Sequence, residues 1–344
     1  MTLHKSAFGG RSNIVPALTV VDHDRRRALL ELPASLAAHD DAMMSLPAFS
    51  QVAASRFPQS TKALPSHLRI GAWNIQQGHF PEESGRLLAA QSLDITLLTE
   101  LDLGMRRTGQ INLADGLAAA QRHGYVFGVE FLELLSPPGL PPHDADEGDN
   151  KAGFHGNGLT AARAPLQIAR IDLAPEADWF INPRRNQRRI GGRMAVAASF
   201  ALGNGECVVV SVHLESDTDR AGRARQMNAL LTDIDKFAAG RPVLVGGDLN
   251  AGARTPGFDY AGEPLFEVAH AHGYDWRSCN AMRPTSRCSR VRNAVQQDQA
   301  HFDWFFVRGL IAEDPDVVPA VDHQGMALSD HEIITVTVRL PENA

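Results

Sequence analysis

Cysteine is scarce. The 344-residue chain has three, Cys207, Cys279 and Cys288. An odd number without metal-site spacing excludes a disulfide framework and a soft-ligand zinc site. Reduced thiols are expected, a Cys279–Cys288 bridge being the alternative that the spacing admits. No apolar run approaches a membrane span, and no apolar core of signal-peptide length follows Met1 to Gly10, so a cytoplasmic protein is expected. Basic excess is also missing: 33 Lys and Arg stand against 40 Asp and Glu, a formal net charge of -7. That argues against broad, non-specific nucleic-acid binding, which uses a basic face, while leaving room for a local patch. No internal repeat of fixed period occurs. What remains is ordinary globular material, 44% hydrophobic and 21% charged, long enough for one large α/β domain or two modest ones.

The first 66 residues differ in texture from the rest. Asp22 to Leu32 has amphipathic helical spacing, Ser35 to Met44 has it again, and Phe49 to Phe57 is a third candidate. Pro58, Pro65 and the polar residues between them suggest a linker. Residues 1–66 are therefore expected to form a mostly helical N-terminal extension, either packed on the main body or used in an oligomer contact. Residues 67–344 are expected to form the principal domain. From Leu68 onward strands alternate with helices: Leu68 to Asn74, Ile95 to Thr99, Tyr125 to Leu132 and Val243 to Val245 read as strands. Glu82 to Ala90, Leu113 to Arg122, Arg220 to Ala239 and Leu265 to His272 read as helices. Arg193 to Phe200 and Glu206 to Leu214 form a hairpin pattern through Gly203-Asn-Gly. Pro137 to Lys151 is a long acidic loop, and Arg184 to Arg189 a basic one. A layered α/β architecture follows.

The chemistry gathers at strand ends. Val243-Leu-Val-Gly-Gly-Asp248-Leu-Asn250 is a buried strand followed by two glycines, a carboxylate and an amide. On an extended chain Asp248 and Asn250 would face the same side, where a carboxylate can take a proton from water and an amide can steady an oxyanion. The plainer reading is an Asx turn closing the strand. Asn74 follows an apolar strand and Glu100 closes another, positions that turns and solvated surface also explain. His213 sits in an otherwise apolar strand, where a satisfied core histidine is the plain alternative. Asp303 lies among aromatics and must be paired, because burying a lone carboxylate costs several kcal/mol or more. Asp330-His331 places a carboxylate beside an imidazole before the last strand. Taken together, Asn74, Glu100 and Asp330 are hard oxygen ligands suited to Mg²⁺ rather than Zn²⁺, with Mn²⁺ a substitute. His213, Asp248, Asn250, Asp303 and His331 add acid/base and oxyanion groups. That inventory fits metal-assisted attack of water on a phosphate ester.

The ordered series Trp73-Asn74-Ile75, Leu98-Thr-Glu100, His155-Gly-Asn157-Gly, Gly192-Arg193, Ser211-Val-His213, Gly247-Asp248-Leu-Asn250, Phe302-Asp303-Trp and Ser329-Asp330-His331 resembles the endonuclease/exonuclease/phosphatase superfamily, from about Leu68 to Arg339. The resemblance implies a four-layer α/β/β/α sandwich, deoxyribonuclease-I-like, with the site at one end of paired sheets. It implies Glu100 as principal Mg²⁺ ligand with Asn74 and Asp330 nearby, and Asp248 and Asn250 around the attacking water. His331 would pair with Asp303, and His213 would be a second histidine at the phosphate. Asn157, Arg193 and His155 are the expected substrate contacts, with a structural ion pair the equal alternative for Arg193. Gln76 stands where repair-nuclease members often carry an acid, which speaks against a second metal. Leu159 to Arg163 departs from the family's Leu-Ser-Arg pattern.

Family membership does not choose a substrate. The run Arg184-Arg185-Asn-Gln-Arg188-Arg189 is a candidate phosphate-gripping rim, with pairing to Asp144, Asp146, Glu147 and Asp149 as the plainer reading. An acidic loop lining the cleft would repel a polyanion, and no long apolar hairpin suited to membrane insertion is present. A phosphodiesterase acting on a small soluble phosphate ester is the expected function. The alternatives are a nuclease on DNA or RNA and a catalytically silent binding scaffold. Oligomeric state is not readable from the sequence.

Overall fold

The structure, a computed structural model, describes residues 12–59, 65–134, 149–184, 187–252, 260–291 and 300–342. The chain begins with β1 (Asn13–Val15), α1 (His23–Leu30), α2 (Leu36–Ser45) and β2 (Gln51–Ala54). It continues through β3 (His67–Gln77), α3 (Pro81–Ala90), β4 (Ile95–Leu103), α4 (Leu113–Gln121), β5 (Gly124–Glu133), β6 (Phe154–Ala161), β7 (Gln167–Asp172) and β8 (Arg189–Gly191). The last part holds β9 (Met194–Leu202), β10 (Gly205–His213), α5 (Arg220–Ala238), β11 (Val243–Asp248), α6 (Pro264–Ala271), β12 (Asp303–Arg308), β13 (Ile311–Val318) and β14 (Ile333–Arg339).

Two sheets result. The larger runs β1-β2-β5-β6-β4-β3-β14-β13 with β8 added on β5, and the smaller runs β12-β11-β10-β9-β7. Period-two alternation gives each sheet two apolar faces. Ile70, Leu97, Val126 and Leu159 meet Val196, Val209, Leu244 and Phe305 between the sheets. On the outer face of the larger sheet, Trp73, Leu98 and Phe127 pack with Leu29 of α1, Leu88 of α3 and Leu117 of α4. On the outer face of the smaller one, Val210, Val245 and Trp304 pack with Leu230 and Ile234 of α5 and Phe266 of α6. Helices therefore cover both outer faces, giving the expected α/β/β/α order.

Three expectations change. Phe49 to Phe57 is not a helix: a 3₁₀ turn over Pro47–Phe49 leads into β2, which pairs antiparallel with β5 through Val52 opposite Gly128. The N-terminal segment is thus more than a helical appendage, since it adds two strands to the larger sheet and covers an otherwise open edge of β5. Strand β8 begins inside the run read as a basic loop. Strand β13 has no expected counterpart, because Asp314-Pro315-Asp316 looks like a turn. It survives as an edge strand, with Asp314 at φ 50° and a register shift between Glu313 and Asp316. The acidic loop's Asp144, Asp146 and Glu147 lie outside the described residues. All three cysteines are free, two of them buried. Among the described residues, no helix is long and apolar enough to cross a membrane.

Burial also leaves a pH signature away from the strand ends. His301 stacks on Trp304 with ring centroids 3.9 Å apart, and its Nε2 is buried without a partner among the described residues. Burial pushes its pKa down to about 4. The unfolded chain, with histidine near its ordinary value of about 6.5, binds the extra proton first. Stability from this residue is therefore complete above that value and is lost as pH falls toward 4. His301→Phe should keep the stack and flatten the fall in melting temperature between pH 6.5 and 4.5. A slope identical to the parent protein's would show that His301 does not titrate in this range.

Candidate active site

Neighbouring strand ends of the two sheets place the polar residues together, and irregular backbone aims them. In β3 the register with β4 shifts between Asn74 and Gln77, and both Gln76 (φ 49°) and Gln77 (φ 61°) are left-handed. In β4 the register with β6 shifts between Leu98 and Leu101, with Glu100 at φ 57°. A left-handed non-glycine residue costs about 1–3 kcal/mol and persists where packing over-determines it, commonly at functional sites. Glu100 thus does not close its strand as expected. It is the bulge within a strand that continues to Leu103.

On the facing sheet, the two glycines before Asp248 are dictated by close approach. A Cβ on Gly246 would lie 2.5 Å from the Phe305 ring, and one on Gly247 (φ 144°) would lie 2.0 Å from the Val212 carbonyl oxygen. Asp248, the last residue of β11, pairs with Asp303 on β12 and His213 on β10 in one cross-strand row. Register alone therefore brings three of the expected groups to one level. Asn250, by contrast, does not point alongside Asp248. It is left-handed (φ 49°), its backbone N–H donates to Asp248 Oδ1 at 2.9 Å, and its side-chain amide donates to the Leu214 carbonyl at 3.0 Å. The Asx turn, the plainer reading, is what forms.

A continuous polar chain crosses the site. Asn74 Nδ2 donates to Glu100 Oε1 at 3.1 Å and to Asp248 Oδ2 at 2.9 Å. The same Asp248 oxygen lies 3.3 Å from His213 Nε2 and 3.6 Å from His331 Nε2. His331 Nδ1 lies 2.8 Å from Asp303 Oδ2, which also accepts from the Thr285 hydroxyl at 2.7 Å. Ser329 fixes the register of this end, donating its hydroxyl to the Asn74 carbonyl at 2.6 Å and accepting from His331 N–H at 3.0 Å. Gln77 donates to Glu100 Oε2. Gln76, expected to argue against a second metal, donates to Ser289 Oγ at 2.6 Å.

The two histidines differ electrically. Burial opposes a charge on His331, but the Asp303 and Asp248 carboxylates on its two sides overcome it and hold the imidazolium well above the ordinary range. Burial lowers His213 well below that range, and nearby Arg193 adds to the effect. Burial also pushes Asp248 up to about 7, against the pull of His331. Asp330 acts on His331 as a further negative charge.

Asp248, Asp303 and His331 each present a ligand atom within 4.8 Å of the others. With carboxylates at both ring nitrogens, however, a protonated imidazole already satisfies that trio. A hard cation would instead sit by Glu100 and Asp248, two carboxylates sharing one Asn74 amide. Glu100 and Asp330 supply carboxylate oxygens of the type Mg²⁺ prefers, and Asn74, whose oxygen accepts from the Gln76 N–H at 3.0 Å, would join them on turning its amide over, so the residues present fit the cation.

The three expected substrate contacts occupy a buried network beside this centre. His155 Nδ1 lies 2.9 Å from Asp102 Oδ1, and Asp102 and Glu133 both hold Arg107, at 2.7 and 2.8 Å. Arg193 is held by Glu130 at 3.0 Å and by Glu215 at 3.2 Å. Asn157 donates to the Met194 carbonyl at 2.9 Å, leaving its Oδ1 buried without a partner among the described residues. Asp102, Glu130, Glu215, Thr285 and Gln77 escaped notice in the sequence. A buried carboxylate inside a strand carries no local signal, although Glu130 and Glu133 interrupt an apolar run.

The Endonuclease/Exonuclease/phosphatase family matches residues 71–331, more than half of the chain. Comparison with the curated proteins finds no match. Among solved structures the chain is similar to an endonuclease/exonuclease/phosphatase from Beutenbergia cavernae DSM 12333, with a TM-score of 0.58, 19% identity and coverage of 80% of this chain and 72% of that one. It is similar to the human Nocturnin catalytic domain with bound sulfate anion, with a TM-score of 0.55, 16% identity and coverage of 81% and 97%. A mannosyl-6-phosphatase of Bacteroides thetaiotaomicron VPI-5482 superposes with a TM-score of 0.52, 13% identity and coverage of 79% and 99%. With that fold and the strand-end residues that carry the family's motifs, the chain belongs to the endonuclease/exonuclease/phosphatase family.

Proposed function

We propose that the protein is a Mg²⁺-dependent phosphodiesterase acting on a small soluble phosphate ester. The reading is carried by the unbroken polar chain Glu100–Asn74–Asp248–His331–Asp303, in which every member has a partner and the His331 imidazolium lies between two carboxylates. A divalent cation held by Glu100 with Asn74 and Asp330 would neutralise phosphate charge there. Asp248, made basic by burial, takes a proton from the water that attacks phosphorus. As the P–O ester bond breaks, the protonated His331 gives its Nε2 proton to the leaving oxygen or to the phosphate. Asp303 and Thr285 keep the ring oriented throughout. His213, neutral at pH 7, offers a hydrogen bond rather than a proton, and the Asx turn at Asn250 holds the Asp248 carboxylate in place.

The segment around Ser286, which bridges to His331, favours a small substrate over a polynucleotide. Arg283, Arg287 and Arg290 line up in sequence, yet each is matched by an acid: Asp316, Glu332 and Asp322. A neutralised rim gives little counterion release on binding nucleic acid. Cytoplasmic location goes with the same reading.

Hydrolysis of bis-p-nitrophenyl phosphate is expected with Mg²⁺ or Mn²⁺ and should stop on chelation with EDTA. Glu100→Ala should remove turnover and weaken Mn²⁺ binding measured by titration calorimetry. Full activity of Glu100→Ala at sub-saturating metal would sink the assignment. Asn250→Ala should cost less than Asp248→Ala, because Asn250 reaches the chemistry through Asp248. Supercoiled plasmid should resist nicking at matched ionic strength, and efficient nicking would favour a nuclease.

A further inference from the structure

The basic run from Arg184 to Arg189 divides on folding. Arg184 pairs with Asp217 at the surface. Arg188 turns away from the catalytic groups: its Nη1 and Nη2 donate to the carbonyls of Leu30 and Leu32, at 2.5 and 2.9 Å, and its Nε donates to the Phe180 carbonyl at 3.0 Å. Next along, His39 Nε2 lies 3.1 Å from both the N–H and the carbonyl oxygen of Gly191. Helix α1, the turn after it and α2 thus clamp β8 from outside, giving the N-terminal segment a positioning task.

The clamp fixes Arg189 on the inner side. Strand β8 pairs with the last residues of β5, Glu133 opposite Arg189 and Phe131 opposite Gly191. Phe131 in turn is level with His155 on β6, and His155 with Asp102 on β4, two residues past Glu100. The Arg189 guanidinium sits 4.8 Å from the Trp179 ring centroid and 5.3 Å from that of Phe131. Among the described residues it is incompletely paired, unlike its neighbours. Arg107 and Arg193 each hold two carboxylates, whereas the partners of Arg189 Nη2 among the described residues are Gln187 Oε1 at 2.8 Å and Glu133 at 3.5 Å. Glu133 is already committed to Arg107 at 2.8 and 3.1 Å. The Arg189 Nε is buried with no partner among the described residues, while 14% of the side chain stays exposed. A desolvated cation left short of acceptors is costly unless an anion completes it. Glu100 is among the carboxylates that act on it electrostatically.

We propose that Arg189, backed by Trp179 and Phe131 and clamped by the N-terminal segment, is a subsite for a second phosphate group of the substrate. The inference rests on the phosphoesterase reading and narrows it: preferred esters carry another phosphate beside the one hydrolysed. A guanidinium fork suits phosphate because it can donate two parallel hydrogen bonds, which lysine cannot.

The test compares thymidine 5′-(p-nitrophenyl phosphate) with the same ester phosphorylated at the 3′-hydroxyl. The parent protein should prefer the phosphorylated ester in kcat/KM by roughly tenfold or more, the value of one charge-assisted contact. Arg189→Gln should bring the ratio to about one. Titration calorimetry with pyrophosphate and orthophosphate, without added metal, should show pyrophosphate binding tighter in the parent and that advantage lost in the variant. Equal kcat/KM for the two esters in the parent, or an unchanged preference in Arg189→Gln, overturns the subsite. If neither ester releases p-nitrophenol, the phosphoesterase reading fails, and the pyrophosphate titration alone decides the subsite. Should Arg189→Gln not fold, as judged by circular dichroism, Arg189→Lys replaces it: a threefold or greater loss of preference supports the subsite and no loss overturns it.

Discussion

His331→Ala should lower kcat for bis-p-nitrophenyl phosphate by about 10²–10⁴-fold, the range for losing a positioned acid or base. The ring is a good target because its two nitrogens have separate tasks. Nδ1 faces Asp303 at 2.8 Å, and Nε2 faces Asp248 at 3.6 Å. Asp303→Asn should therefore reproduce much of the loss without touching substrate, since it withdraws the charge that keeps the ring protonated. The double variant should be little worse than either single one, because residues acting as a unit are not additive. Additive losses would mean that Asp303 has a task of its own. An unchanged rate in His331→Ala would remove this histidine from the chemistry. Removing the ring also leaves the buried Asp248 and Asp303 carboxylates without the cation between them, so circular dichroism of the variant must accompany the rate measurement.

The motifs were legible because the site is built from strand ends, where short local patterns and strand pairing coincide. Asp248, His213 and Asp303 share one cross-strand level, so identifying the three strands nearly fixes their meeting. What escaped the sequence was of two kinds. Backbone irregularity was invisible: nothing in Leu98-Thr-Glu100 announces a left-handed glutamate in mid-strand, and nothing in Gly247-Asp248-Leu-Asn250 separates a turn from an extended pair. Long-range pairing was also invisible. Arg193 reads as a phosphate contact by motif, but Glu130 and Glu215 reach it from positions 63 and 22 residues away. In the same way the four arginines of one run looked equivalent, and tertiary contacts gave three of them different partners. The N-terminal strands were missed because β2 is only four residues long, and its burial depends on an edge that other segments create.

Arg107→Met is expected to be strongly destabilising. The guanidinium is 6% exposed and donates to both oxygens of Asp102 at 2.7 Å and both of Glu133 at 2.8 and 3.1 Å. Asp102 is held below the usual carboxylate range even though burial alone would raise it, with Arg107 the largest opposing cause and His155 next. Methionine fills similar space but strands two buried carboxylates, and breaking such a pair costs about 3–5 kcal/mol. Part of that loss should return at low pH, where the stranded acids become neutral. Denaturant unfolding at pH 7 and pH 5 would measure it: the gap between parent and variant should narrow toward pH 5. The triple variant Arg107→Met, Asp102→Leu, Glu133→Leu separates two roles for the network. If the ions serve stability, the triple variant stays well below the parent. If they serve the site, stability returns to within about 1 kcal/mol, as apolar replacement of buried ion pairs often allows, while hydrolysis stays impaired because His155 and β8 have lost the carboxylates that orient them. The second outcome is expected: the network borders Glu100 and Arg189, and a fold seeking stability alone would meet the same need with leucine.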